Sequence, residues 1–203
     1  MNVRVVHPIE ARSYRILRSR ADTSALPYWS RAVAERVVHA SADLGYLTDL
    51  VLDEAALEAA AGALAAGAPL VADAAMVAAG ITARDALVRV ADPRARDLAA
   101  ELGTTRSAAA MRLAADEVGP GAVWVVGNAP TALEAVVDLA ARTRPALVVG
   151  LPVGFVGAVE SKARLRDAGI PAVSNVSEKG GSAVAAAAVN ALLYGDPLEG
   201  ENT

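Results

Sequence analysis

The 203 residues fit one compact domain with room for a sizeable core. Cysteine is absent, which excludes disulfides, thiolate metal sites and cysteine nucleophiles, and with His7 and His39 as the only histidines a histidine-rich metal site is not expected. A net charge of −4, scattered arginines and 3% aromatic residues argue against a nucleic-acid surface, which would need a basic stripe with stacking rings.

Hydrophobic residues reach 54%, but alanine supplies much of that figure. The richest runs, Ala59–Ala68 and Ala183–Leu193, are too short to span a bilayer and are broken by glycine or asparagine. Met1–Glu10 has no apolar leader core, so a cytoplasmic protein with no membrane association is expected.

The chain opens with a helical portion, residues 1–67. Pro8 suits the first position of a helix over Ile9–Leu17, followed by helices over Pro27–Ala40 and Asp53–Ala66. No linker separates this portion from the rest of the chain, so it reads as an extension of the same domain, packed over the edge or mouth of a sheet. From residue 68 to 195, short apolar runs alternate with alanine-rich helices. The runs are Leu70–Ala72, Ala86–Val90, Ala122–Val126, Ala146–Val149 and Ala172–Ser174. They are continuous rather than alternating, as parallel strands covered on both faces require. Helices are expected over Asp92–Leu102, Ser107–Glu117, Thr131–Ala141, Val156–Ala168 and Ser182–Leu193. The predicted fold is a three-layer α/β/α domain on a mainly parallel five-stranded sheet, with an N-terminal helical extension. The polar end after Asp196 is expected to fray.

Ligands of open parallel sheets bind beyond the carboxyl ends of the strands. Three loops there carry glycine beside a helix start: Gly127-Asn128-Ala129-Pro130-Thr131, Gly150-Leu151-Pro152-Val153-Gly154 and Glu178-Lys179-Gly180-Gly181-Ser182. Each reads either as an anion site or as a tight turn capped by Thr131 or Ser182. Lys162 and Lys179, the only lysines, stand beside them and favour an anion site. No dinucleotide or phosphate-loop fingerprint is present. Asp73 follows a strand and either faces a ligand or caps the helix containing Met76. Arg106 could reach the site, with Ser107 capping its helix. Glu35 and His39, four apart, would share a helix face, and a carboxylate neighbour would tune the imidazole for proton transfer. The alternative is a helix-end histidine that favours the C-terminal dipole.

Seven stretches resemble the precorrin-8X methylmutase family, which includes the cobalt-precorrin-8 enzymes. They begin with His7-Pro8-Ile9-Glu10 joined to Ser13-Tyr14-Arg15-Ile16 as the first, and Arg36-Val37-Val38-His39-Ala40-Ser41-Ala42-Asp43 as the second. Asp73 with Met76-Val77 and Gly80-Ile81, Thr105-Arg106-Ser107 and Gly127-Asn128-Ala129-Pro130-Thr131 come next. Pro152-Val153-Gly154-Phe155-Val156 with Glu160-Ser161-Lys162, and Lys179-Gly180-Gly181-Ser182 with Asn190-Ala191-Leu192, complete the set. Their order over nearly the whole chain is what makes the resemblance specific. It implies a homodimeric isomerase, with no separate cofactor and no metal, that moves a methyl group from ring carbon 11 to ring carbon 12 of precorrin-8X or cobalt-precorrin-8. From precorrin-8X the corrin product would be hydrogenobyrinate. The family's catalytic histidine maps onto His39 and a substrate-contacting serine onto Ser13. Asp73, Arg106, Asn128, Lys162, Lys179 and Gly180 are the further substrate-binding candidates. Glu178 stands where many members carry a basic residue. A corrinoid carrier using the same cleft and, from the strand pattern alone, a flavodoxin-like module are the competing readings.

Overall fold

The computed structural model describes residues 6–198. A six-stranded sheet runs in the order β1 (Leu50–Val51), β6 (Ala172–Asn175), β5 (Leu147–Gly150), β4 (Val123–Val126), β2 (Leu70–Ala72), β3 (Leu87–Val88). Strands β2 to β6 are parallel and correspond to the five expected ones. The sixth, β1, pairs antiparallel with β6 through Leu50 opposite Asn175. Two residues carry too little pattern to stand out in the sequence.

Side chains of the inner strands alternate between two buried faces. Leu70, Ala72, Val123, Val125, Leu147, Val149 and Val173 pack with α4 (Glu54–Ala65) and α10 (Ser182–Tyr194). Val71, Trp124, Val126 and Val148 face the opposite way, toward α7 (Arg106–Val118), α8 (Pro130–Thr143) and α9 (Ala158–Asp167). This double burial explains the unbroken apolar runs. The helical N-terminal portion is not confined to the sheet edge. Its α4 belongs to the layer on one face, and α2 (Tyr28–Ser41) packs on α10, with α1 (Pro8–Arg20) packed on α2 in turn. Enclosure between α1 and α10 leaves α2 buried continuously from Ala32 to Val38. Three short or intervening helices, α3 (Tyr46–Asp49), α5 (Ala75–Gly80) and α6 (Pro93–Leu102), complete the described chain. Among the described residues no helix is long and apolar enough to cross a membrane.

Several caps differ from expectation. Helix α8 starts at Pro130 with Ala129 as its cap, α10 at Ser182 with Gly181, and α7 at Arg106 with Thr105, whose hydroxyl accepts from the Ala108 amide at 3.2 Å. Thr131, Ser182 and Ser107 therefore sit inside their helices. The segment after Asp196 does not fray at once. The Asp196 carboxylate accepts from Arg18 at 2.9 Å and from Arg31 at 3.1 Å, and Leu198 is buried against Ala11 and Tyr14. The remainder of the expected frayed end lies outside the described residues.

Candidate active site

A cleft of about 620 Å³ opens between α1 and the end of α2 on one side and the end of α5 and the length of α10 on the other. The cleft falls within the size range of small-molecule sites. The α10 wall presents Ala183, Ala186, Ala187 and Asn190 at helical spacing, so the floor is low and smooth. Gly80 lets α5 press against this wall, because a Cβ there would lie 2.7 Å from the Ala186 methyl. Asn190 closes the seam, donating to the Gly80 carbonyl at 2.8 Å and accepting from the Thr82 amide at 3.2 Å.

His39 and Ser13 sit side by side on the same wall of this cleft. His39 occupies the last turn of α2, which Ala42 ends in a left-handed conformation at φ 55°. Its Nδ1 lies 2.9 Å from the Ser13 hydroxyl, and its ring stacks on Tyr14 with centroids 4.9 Å apart and 16° between planes. Two contacts from α1 thus fix both the plane and the rotation of the imidazole. His7 also lines the cleft, and its ring accepts from the Ile9 amide at 3.2 Å as the cap of α1.

The expected Glu35–His39 pair does not form. Glu35 is fully buried and its carboxylate is engaged by Arg18 through two contacts of 2.9 Å and by the Thr23 hydroxyl at 2.5 Å. That cluster clamps α1 onto α2 and so holds Ser13 against His39. Asp43 lies past the helix end, where it accepts from Lys179 at 2.6 Å.

The other candidate residues lie apart from the cleft lining. Asp73 sits where the parallel strand order reverses, between the carboxyl ends of β2 and β4, the usual ligand crevice of such sheets. Its carboxylate is 1% exposed and accepts from the amides of Gly127, Asn128 and Ala129 at 3.1, 2.9 and 2.8 Å. The protein's own carboxylate therefore fills the anion nest that a flavodoxin-like phosphate would need. Burial pushes the Asp73 carboxyl above its ordinary range, against the pull of these amides. The Asn128 side chain is exposed on this loop. Arg106 is exposed on α7, in the layer on the opposite face of the sheet. Lys162 is fully buried and donates to Asn175 Oδ1 and the Lys179 carbonyl, both at 2.8 Å, and to the Ser177 carbonyl. It braces a loop from within and is not a rim cation. Lys179 remains half exposed, its charge paired with Asp43. Gly180, at φ +157°, is required because a Cβ would collide with the Leu151 and Pro152 carbonyl oxygens. The close approach there is chain on chain.

The family model for precorrin-8X methylmutase matches residues 8–195. The chain belongs to the precorrin-8X methylmutase family. This methylmutase kinship makes it an isomerase of cobalamin biosynthesis, and relatives agree on the point. The precorrin-8X methylmutase of Pseudomonas aeruginosa is 41% identical over 194 residues, covering 91% of this chain and 93% of the relative. The cobalt-precorrin-8 methylmutase of Methanocaldococcus jannaschii is 40% identical over 163 residues, covering 79% and 77%. The crystal structure of the Thermus thermophilus precorrin-8X methylmutase superposes with a TM-score of 0.82 at 34% identity, covering 92% of this chain and 96% of that one.

Arg36, Thr82, Asn190 and Tyr194 line the methylmutase cleft without having been singled out as site residues by sequence. Arg36 carried a usable signal, since it precedes His39 by three residues and so shares its helix face. The others come from α10 and the turn after α5, which only tertiary packing brings to His39.

Proposed function

We propose that this methylmutase moves the methyl group from ring carbon 11 to ring carbon 12 of precorrin-8X, giving hydrogenobyrinate, or of cobalt-precorrin-8, giving the corresponding cobalt-containing corrin, with His39 as proton donor and acceptor. The reading rests above all on one observation: an imidazole oriented by Ser13 and Tyr14 stands on the wall of an open, small-residue cleft. The substrate is a large, mainly apolar macrocycle fringed with carboxylates. Alanine on α10 gives such a ring a flat surface to lie on. The rearrangement exchanges no electrons with an outside partner, so proton transfer to and from the conjugated ring suffices to repolarise it, and an imidazole works in both directions near neutral pH. No separate cofactor enters this scheme. Holding the ring in one pose supplies much of the remaining rate. We further propose that the enzyme acts in the cytoplasm, and as the homodimer that the family resemblance implies.

The test is incubation of purified protein with precorrin-8X and, separately, with its cobalt form, followed by absorbance. Conversion to the product chromophore supports the reading. Binding of hydrogenobyrinate with neither substrate converted would replace it with a carrier. Ser13→Ala is expected to slow turnover by roughly one to two orders of magnitude, because the ring keeps its Tyr14 stack but loses the contact that sets its rotation. Initial rates at saturating substrate measure this, and a rate within twofold of the parent would show that Tyr14 alone orients the ring.

A further inference from the structure

Three polar pairs join α1 to α2: Glu10–Arg36 and Ser13–His39 beside the cleft, and Arg18–Glu35 away from it. Two of them are satisfied at ordinary distances. The first is not. Arg36 is 6% exposed and lines the cleft, yet one of its two terminal guanidinium nitrogens has no acceptor among the described residues. Its other terminal nitrogen reaches Glu10 Oε1 only at 3.4 Å, the outer limit of a hydrogen bond. The guanidinium carbon lies 5.5 Å from the centre of the Tyr194 ring, which fixes the fork's position. A buried, half-used guanidinium is unfavourable unless an acceptor completes it, and a planar fork is suited to a carboxylate.

We propose that Arg36 is a substrate-binding residue that receives one peripheral carboxylate of the macrocycle. This rests on the methylmutase reading and deepens it. Arg36 and His39 stand three residues apart on α2, so their Cβ atoms are separated by roughly 5–6 Å. A macrocycle built from similar rings offers several similar edges to one imidazole. An anionic substituent seated on Arg36 selects the edge beside it. Glu10 stays on the second nitrogen and disfavours a further carboxylate at that point, so the seat takes a single anion. None of the lysines or loop glycines expected from sequence to hold carboxylates lines this wall.

The test compares hydrogenobyrinate with its fully methyl-esterified form, titrated by absorbance into the parent protein, Arg36→Met and Arg36→Lys. Loss of one charge-assisted contact should weaken binding of the free acid to Arg36→Met by about 10- to 100-fold, while the ester binds parent and variant alike. Arg36→Lys keeps the stem and the charge but not the fork, and should fall between them. It carries the test if Arg36→Met does not fold. Free acid bound equally by parent and variants overturns the assignment, as does an equal loss for acid and ester. These outcomes are separate from the activity reading, which fails only if the parent protein converts neither substrate.

Discussion

Replacing His39 with alanine is expected to lower kcat by about 10²- to 10⁴-fold, the range that a positioned general acid–base contributes. Affinity for hydrogenobyrinate should stay within a few-fold of the parent value, since the remaining cleft wall is untouched. The structure makes the experiment clean. His39 is exposed on the last turn of α2, so its loss opens no core cavity, and the clamp that docks α1 lies elsewhere, at Arg18, Glu35 and Asp196. A change in melting temperature of more than a few degrees would indicate that the imidazole also holds α1. His39→Gln adds a control, because an amide hydrogen-bonds to Ser13 yet exchanges no proton at neutral pH. If either variant turns over near the parent rate, His39 is not the proton donor and acceptor, and His7 becomes the residue to examine on the same cleft.

How far the sequence could be read depended on the range of the interaction involved. The parallel strands were legible because a strand covered on both faces writes its burial into consecutive residues, as Val123–Val126 does. Helix caps were less legible. Local rules assign Thr131 to cap α8, but Pro130 takes the first helical position. The acceptor for the neighbouring amides comes from Asp73, 54 to 56 residues earlier in the chain. Glu35 fails in the same way: helical spacing puts it one turn from His39, but Arg18 on another helix takes its carboxylate. His39 was a candidate from its place on α2 as well as from the resemblance, and Ser13 from the resemblance alone. Their 2.9 Å contact depends on how α1 crosses α2, which helical spacing does not fix. The direction of the Lys162 side chain was illegible for a related reason. A cation beside a glycine loop looks like an anion receptor unless it is known which way its stem runs, and the Lys162 stem runs inward.

That inward orientation has a large energetic consequence. Lys162→Met is expected to lower the unfolding free energy by about 3 kcal/mol at neutral pH. The substitution keeps the stem's volume but strands the Asn175 amide oxygen and leaves the Ser177 and Lys179 carbonyls with the Asn175 side-chain amide, at 3.3 and 3.0 Å, in place of the ammonium. For a chain of this size the melting temperature should fall by about 6–12 °C. Asp49 moderates the loss, because its carboxylate separately accepts from the Val176 and Ser177 amides, the Ser177 hydroxyl and the Asn175 side chain. The loop between β6 and α10 should therefore loosen rather than detach. A pH series separates this burial effect from simple packing. Desolvation pulls the Lys162 ammonium down to about 8 from its ordinary 10.5, with the Asp49 charge opposing. Between those values the unfolded chain holds a proton that the folded chain has released, so this group makes folding more favourable as pH rises. Its contribution is complete above the unfolded value and lost as pH falls through about 8. Denaturant unfolding at intervals from about pH 7 to about pH 10.5 should thus show the stability gap between parent and Lys162→Met widening with pH. A gap that narrows would mean that the three oxygen acceptors outweigh desolvation and keep the ammonium charged. No measurable gap at any pH would mean that the loop after β6 holds its course without the buried lysine.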